Sequence, residues 1–417
     1  MGAKTNQECR YCNSRRLVNF LDLGCHPQSN GFLSPDQISR EEKYPLQVYF
    51  CETCFLVQLL DVVSPTELFG DYVYLASSSK ALKDHYARLA NMLAQTYGTA
   101  SRDIVVDIGC NDGILLNGYD RRDLQKIGVE PSSVASIAEK SGLSVVNAFF
   151  GPDIVARIVA EYGKAQIVTA TNVFPHVDDI ETFTRSVSCL LADNGVFVIE
   201  ASYLIDLIDQ TLFDTIYHEH LCYLSLTPMV PFFRRNGLEI FDVERVPFGA
   251  SGPAFRVFAQ KLGSARSVSD RVFKMLANEE RWGVGSIHRY LGYARQVETI
   301  KACVMSMLDV LRGLRKRIGG YGAPAKGNTL LNYFGLDSNT IECLAENNPL
   351  KQGKVAPGSH IPVVSDEEFL ERMPDFALLL SWNYLDFFLQ RSAYIRNGGR
   401  FLVPLPVPVI RPSLLNE

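Results

Sequence analysis

A run of branched apolar residues that breaks into glycines constrains this chain more than any other feature: Ile104-Val105-Val106-Asp107-Ile108-Gly109-Cys110-Asn111-Asp112-Gly113. A second short run, Ile127-Gly128-Val129-Glu130, follows it and ends on an acid. Short apolar runs bounded by turn residues read as strands buried on both faces, the mark of a parallel sheet covered by helices. Gly109 and Gly113 let backbone approach a ligand closely, and Glu130 is placed to take both hydroxyls of a ribose. The block therefore predicts a nucleoside site at the carboxyl ends of parallel strands.

A dinucleotide fingerprint begun at Gly109 needs glycine at 111 and 114, where this chain has Asn111 and Ile114. A pyrophosphate presses on bare backbone at a helix start, whereas a sulfonium cofactor carries no phosphate and tolerates side chains there. The block resembles the Asp-x-Gly-x-x-x-Gly motif of class I S-adenosylmethionine-dependent methyltransferases. The alternative is an ordinary strand, turn and helix of an α/β core.

With 417 residues, 47% apolar and 21% charged, the chain exceeds one core and has ordinary globular composition, which predicts two or three domains. The net charge of −5 and the absence of a long basic run argue against nucleic acid. The densest basic cluster, Arg312, Arg315, Lys316 and Arg317, reads as a solvated helix end. No apolar stretch reaches the roughly 18 residues of a membrane span, and Met1 to Glu8 has no hydrophobic signal region, so a cytoplasmic protein is expected. Of the ten cysteines, six stand singly rather than in the dense even spacing of a disulfide scaffold, which predicts reduced thiols.

The other four form Cys9-Arg10-Tyr11-Cys12 and Cys51-Glu52-Thr53-Cys54. Two such knuckles close a tetrahedral site, so Cys9, Cys12, Cys51 and Cys54 are expected to bind structural zinc. Four sulfurs fill the shell, leaving no position for catalysis by the metal. The alternative is four unligated thiols or a redox pair.

Past a linker rich in aromatics and hydroxyls, Ser64 to Ser79, helix and strand patterns alternate. A helix is expected over 82–96, strands over 104–108, 127–130, 143–146 and 166–170, a helix over 178–191, then strands over 196–199, 239–245 and 255–260. This is the pattern of a doubly wound sheet with ligands at the carboxyl strand ends. Asn172, in the segment Ala170 to Val177, borders that edge, where it can bond the amino-acid end of a cofactor. The spacing of Val297, Ile300, Val304, Met307, Leu308, Leu311 and Leu314 is that of a packing helix. A second α/β unit opens with Gly319-Gly320-Tyr321-Gly322-Ala323-Pro324-Ala325-Lys326-Gly327-Asn328; it reads as an anion cradle or as an ordinary turn.

The segment Tyr217-His218-Glu219-His220 places two imidazoles, a carboxylate and a phenol together just past a strand end. It offers a base near neutral pH, an acid to orient it and a phenol to hold an oxyanion. A second metal site and a hydrogen-bonded core cluster are the competing readings.

With these motifs in order, the whole chain resembles the sugar C-methyltransferases that act on nucleotide-linked 4-keto deoxysugars. Besides the motifs above, Glu130-Pro131-Ser132, Asn172 with His176, Asn348-Pro349-Leu350-Lys351-Gln352-Gly353 and Pro357-Gly358-Ser359-His360-Ile361-Pro362 carry the likeness. It implies a zinc-binding module (1–75), a class I methyltransferase domain with a doubly wound sheet (76–265), connecting helices (266–318) and a C-terminal Rossmann-like α/β lobe (319–417). It implies methyl transfer to C3 of a 4-keto-6-deoxysugar, with His220 as general base and Glu219, Tyr217 and Tyr74 assisting.

The implied S-adenosylmethionine contacts are Asp107, Gly109, Asn111, Asp112, Gly113, Glu130, Pro131, Asn147, Phe149, Asn172 and Val173. Those to a dTDP- or GDP-linked sugar are Tyr72, His218, Tyr321, Gly322, Ala323, Lys326 and Asn328. A monomer or small homo-oligomer, with neither nucleic-acid nor membrane partner, is expected. Three positions depart from the family's pattern: Asn147-Ala148-Phe149 replaces an adenine-binding acid, Glu346 stands where aspartate is frequent, and Phe248-Gly249-Ala250-Ser251-Gly252 lacks a histidine-glycine-glycine run. A nicotinamide-dependent sugar oxidoreductase using the turn near Gly320 and Gly322, and a noncatalytic zinc-ribbon protein, are the alternatives.

Overall fold

The computed structural model describes residues 3–70, 75–98, 100–249 and 252–412. The chain divides into two compact units, each assembled from separated segments: unit 1 from 1–18, 49–205 and 219–286, unit 2 from 19–48, 206–218 and 287–417.

Unit 1 is built on a sheet of seven strands: β1 Ile104–Ile108, β2 Gln125–Val129, β3 Ser144–Val146, β4 Ala165–Thr171, β5 Leu191–Ser202, β6 Leu238–Gly249 and β7 Gly252–Lys261. Their spatial order is β6-β7-β5-β4-β1-β2-β3. Strands β1 to β5 pair in parallel, and β7 runs antiparallel to both β5 and β6. Val105 and Val106, on opposite faces of β1, are both wholly buried, which is why the strand reads as an unbroken apolar run. Because β1 lies between β2 and β4, the winding reverses there, and a crevice opens at the carboxyl ends.

The expected helix over 82–96 runs Lys80–Tyr97, with the Ser79 hydroxyl capping the Leu82 N–H at 3.3 Å. The next runs Ile180–Leu190, capped by the Asp179 carboxylate on Thr182 at 3.1 Å. Strand β5 begins five residues before the expected Val196, through a register shift between Leu191 and Val196. The stretch after β1 holds turns and a short 3-10 segment, Leu116–Gly118, in place of a regular helix.

Unit 2 has a six-stranded sheet: β8 Ile318–Tyr321, β9 Leu344–Ala345, β10 Val363–Val364, β11 Phe376–Leu379, β12 Arg400–Val403 and β13 Val409–Arg411. The order is β10-β9-β8-β11-β12-β13, with only β13 antiparallel. The packing helix expected from Val297 runs Ile287–Gly313. Among the described residues, no helix is long and apolar enough to cross a membrane.

Candidate active site

The glycine turn of unit 1 is built around buried acids. Asp107, in β1, is 2% exposed and accepts the Thr169 hydroxyl at 2.6 Å. Burial pushes its carboxyl up to about 7; the Thr169 bond opposes that shift and the nearby Glu130 adds to it. At Gly109 the backbone turns with φ +69°, and an added Cβ would lie 2.3 Å from Cγ2 of Val173, so the turn and the segment after β4 meet where only glycine fits. Glu130, following β2, accepts the Asn111 N–H at 2.9 Å on Oε2, and the Ser132 N–H and hydroxyl at 3.0 and 2.6 Å on Oε1.

The linker docks on this turn: the Ala76 N–H donates to Asn111 Oδ1 and the Ser77 N–H to Asp112 Oδ2, both at 3.0 Å. Asp112 Oδ1 is buried with no partner among the described residues. Asn147 is a brace, its amide donating to the carbonyls of Glu130 and Ser132 at 2.8 and 2.9 Å. Phe149 is 49% exposed, leaving its ring available to stack on a base. A carboxylate held for hydroxyls, an orphaned carboxylate oxygen and an exposed ring fit a cationic nucleoside such as S-adenosylmethionine, and fit a pyrophosphate poorly.

Asn172 adopts φ +55°, a conformation asparagine tolerates well. Its N–H donates to the Glu200 carbonyl at 2.7 Å and its amide nitrogen to the Tyr86 hydroxyl at 3.1 Å. Behind it lies a charged network that sequence reading missed. His85 Nε2 is 2.7 Å from Glu200 Oε1, and Arg256 donates to Glu200 Oε2 at 2.8 and 2.6 Å while also pairing with Glu244. Polar groups buried and paired this way look in sequence like solvated positions; only the charge at Glu200 inside an apolar strand hinted at it.

The Tyr217 to His220 segment divides between the units. His220 and Glu219 belong to unit 1, Tyr217 and His218 to unit 2. His220 stacks on His176 with ring centres 5.0 Å apart and planes 26° apart, and His176 stacks in turn on Phe69 at 6.0 Å. Burial first, and then His220, push the His176 imidazole well below its ordinary pKa, so it stays neutral. His176 and Asn172 share the turn after β4, held by the His176 N–H on the Val173 carbonyl at 2.8 Å.

Two further bonds fix the segment around His220: the Leu221 N–H donates to the Pro175 carbonyl, and the Leu59 N–H to the Leu221 carbonyl, each at 2.9 Å. Cys222–Tyr223 pairs antiparallel with Val57–Gln58, just beyond the second cysteine knuckle. The knuckles thus lie close in chain and in hydrogen bonding to His220. Glu219 is buried and Tyr217 half-buried. His218 is packed inside unit 2, its Nε2 3.1 Å from the Pro45 carbonyl and its ring edge-on to Tyr44. Tyr72 and Tyr74 lie outside the described residues.

The sulfurs of Cys9, Cys12, Cys51 and Cys54 all lie within 4.8 Å of one another, with Cys9 to Cys54 and Cys12 to Cys51 at 3.5 Å. A tetrahedral zinc with ordinary Zn–S bonds sets its sulfurs about 3.8 Å apart, so the cluster fits that ion.

In unit 2 the Gly322 to Lys326 turn follows β8. Gly322 has φ +82°, and a Cβ there would sit 2.3 Å from the Ser381 hydroxyl. Lys326 donates to Asn383 Oδ1 at 2.6 Å and lies 4.3 Å over the Trp382 ring. Burial pulls its ammonium pKa down, against the pull of Asp214. Asp214, another residue the sequence did not flag, accepts the Trp382 indole N–H at 2.6 Å. Two expected contacts are tied into packing. Tyr321 sits among Phe369, Phe388, Tyr394 and Phe401 with its hydroxyl 3.1 Å from Ser392, and buried Asn328 donates to the Ser29 carbonyl at 2.7 Å.

Three family profiles match successive parts of the chain: a zinc binding domain over residues 9–69, a methyltransferase domain over 77–243 and a C-methyltransferase C-terminal domain over 250–406. C-methyltransferase NovU of Streptomyces niveus is 33% identical over 404 residues, 96% of this chain and 96% of that protein. A ubiquinone biosynthesis O-methyltransferase of Rhodopseudomonas palustris (strain HaA2) is 29% identical over 126 residues, 28% of this chain and 47% of its own length. Magnesium protoporphyrin IX methyltransferase of Synechocystis PCC 6803, crystallised with bound SAH, is 12% identical with a TM-score of 0.34, covering 43% of this chain and 83% of that one.

Proposed function

The chain belongs to the C-methyltransferase family and has a class I methyltransferase fold, and from that premise we propose that it methylates C3 of a nucleotide-linked 4-keto-6-deoxysugar with S-adenosylmethionine. The observation that carries the reading is the His220 imidazole, stacked at 5.0 Å on a histidine whose turn begins at Asn172. In this reading His220 is the proton acceptor, beside the edge where the acids of the glycine turn suit a cationic donor.

In this reading the ribose hydroxyls go to Glu130, the ammonium to Asn172 and Asp112, and the adenine to Phe149 with Asn147 bracing the loop. The bound cofactor supplies an electrophilic methyl group. His220 takes the C3 proton; the electron pair moves into the C4 carbonyl to give an enolate, then returns through C3 to form the new carbon–carbon bond as the sulfonium bond breaks. A proton beside a carbonyl is removable near neutral pH when the enolate oxygen is held, a task that falls to Tyr217 and Tyr74 with Glu219 orienting the base. Neutral His176 fits this chemistry, because a second imidazolium against His220 would repel the proton it must accept. Lys326 and the Gly322 turn take the nucleotide's diphosphate, and the four cysteines hold a structural zinc.

Incubation with 4-keto-6-deoxy nucleotide sugars in deuterated water tests this. Without methyl donor the C3 hydrogen should exchange, and with it one methyl should appear at C3 by NMR. His220→Ala should still bind S-adenosylhomocysteine while losing exchange and methylation by roughly 10²- to 10⁴-fold. Full activity in that variant, or tight NAD binding with no response to S-adenosylmethionine, would overturn the reading.

A further inference from the structure

The acid-ended turn of unit 1 has a counterpart in unit 2. Strand β8 lies between β9 and β11 as β1 lies between β2 and β4, so both sheets reverse direction at their first strand. The Gly322 N–H donates to the carbonyl of Ala345, the last residue of β9, at 2.9 Å; the Gly109 N–H donates to that of Val129, the last of β2, at 2.7 Å. Glu346, the residue after β9, accepts the Ala323 N–H on Oε2 at 3.1 Å and the Asn348 N–H on Oε1 at 3.0 Å. Glu130 accepts the Asn111 N–H on Oε2 at 2.9 Å and the Ser132 N–H on Oε1 at 3.0 Å. Each carboxylate is clamped between the glycine turn and the amide two residues beyond itself.

The backbone amides fix the carboxylate without exhausting it. A carboxylate oxygen has two acceptor positions, and these bonds occupy one on each oxygen of Glu346. The side chain is half-buried, so a ligand can reach it. Its neighbour on this side is another acid: Asp366 opens the helix after β10, its carboxyl pushed up by burial and then by Glu346 and Glu367. The acids suit hydroxyl donors, and the Lys351 ammonium, which donates to the Ala323 carbonyl at 2.8 Å, lies by the same turn. Lys326, the cation within the turn itself, sits by Trp382 and Asn383, which follow β11 on the opposite flank of β8.

We propose that Glu346 is a nucleoside-binding residue, accepting the sugar hydroxyls of a nucleoside diphosphate whose phosphates run toward Lys326. The proposal rests on the nucleotide-sugar reading above and gives its nucleotide an address. Unit 2 then holds its nucleoside by the same construction that unit 1 uses for the adenosine of its cofactor.

Calorimetric titration of the full chain with dTDP, UDP and GDP, and separately with S-adenosylhomocysteine, tests it. Glu346→Gln should weaken the nucleoside diphosphate that the wild type binds by roughly ten- to hundredfold, the worth of a hydrogen bond to a charged group, with S-adenosylhomocysteine unchanged. Glu346→Asp, which withdraws the carboxylate by one methylene while keeping its charge, should weaken it less, again sparing S-adenosylhomocysteine. Glu130→Gln should do the reverse. Nucleoside diphosphate binding unchanged in both Glu346 variants, or both ligands weakened alike, overturns the proposal alone. A wild type that binds S-adenosylhomocysteine and none of the three diphosphates overturns the nucleotide-sugar reading and this proposal together.

Discussion

Counted from the paired glycines, Gly109 and Gly322, the two turns share a frame and carry opposite charge. Unit 1 has Asp107 two residues before its glycine and Asp112 three after; unit 2 has Gly320 and Ala325 in those places, and Lys326 where unit 1 has Gly113. A side chain at 320 would have to displace Leu344, since a Cβ there would lie 2.4 Å from its Cδ2. The strand-end acids, Glu130 and Glu346, take the same two backbone bonds, with the Ser132 hydroxyl added on Glu130, so in the proposed reading what distinguishes the sites is the tail each nucleoside would carry. Carboxylates by the first turn suit the ammonium and sulfonium of an amino-acid tail, and an ammonium by the second suits a diphosphate.

The sharpest way to break that contrast is to remove Asp107, one of the two acids that only the unit 1 turn has. In the folded chain the Asp107 carboxyl sits at about 7, against an ordinary 3.8, so between those values the folded state holds more protons than the unfolded one. Its contribution to stability is therefore full below pH 3.8 and lost as pH rises through 7. A bound cation favours the carboxylate, so cofactor binding should release a proton near neutrality and weaken by up to about tenfold per pH unit below 7. Asp107→Asn should make the unliganded chain more stable at alkaline pH, weaken S-adenosylmethionine by about tenfold or more, and abolish the proton release. Calorimetry in buffers of differing ionisation enthalpy reads that release. Nucleoside diphosphate binding should be untouched; an equal loss there would mean the two turns do not act separately.

A second comparison asks how rigidly each turn is set. Gly109→Ala and Gly322→Ala both place a side chain at positive φ, which costs about 1 to 2 kcal/mol. The new methyl of the first meets a β-branched side chain, Val173, whereas that of the second meets the Ser381 hydroxyl, which can rotate away. Urea unfolding should show Gly109→Ala losing about 1 to 3 kcal/mol more than Gly322→Ala. Equal losses would mean that backbone conformation, and not the contact with Val173, makes glycine obligatory.

Why one turn was legible in sequence and the other only partly so follows from strand length. Strands β1 and β2 are five residues each with apolar runs, so the glycines and Glu130 fall at recognisable places. Strand β9 is two residues, Leu344–Ala345, and β10 two more, too short for periodicity to mark, so Glu346 stood out only as a departure from the family's pattern. The cysteine knuckles and the long helices were legible because ligand spacing and a repeat of 3.6 are local properties. The pairing of His85 with Glu200, of Asp214 with Trp382, and of His220 with His176 joins residues distant in sequence, and no local pattern encodes it. Tyr321 and Asn328 are motif residues that also pack around the turn, Asn328 Oδ1 being buried without a partner among the described residues.

The smallest expected effect sharpens how unit 1 holds the tail that unit 2 lacks. The Tyr86 hydroxyl accepts the amide nitrogen of Asn172, which leaves Asn172 Oδ1 without a donor among the described residues. An ammonium needs an acceptor, so the tyrosine orients the amide with its useful end outward. Tyr86→Phe removes that bias and lets the amide turn its nitrogen toward the cation. S-Adenosylhomocysteine should then bind about three- to tenfold more weakly, the worth of one neutral hydrogen bond. 5′-Methylthioadenosine, which has the nucleoside and no amino-acid tail, should bind as before, as should the nucleoside diphosphate of unit 2. Equal weakening of the two adenosine ligands would mean that Tyr86 supports the fold of the pocket and does not select the tail.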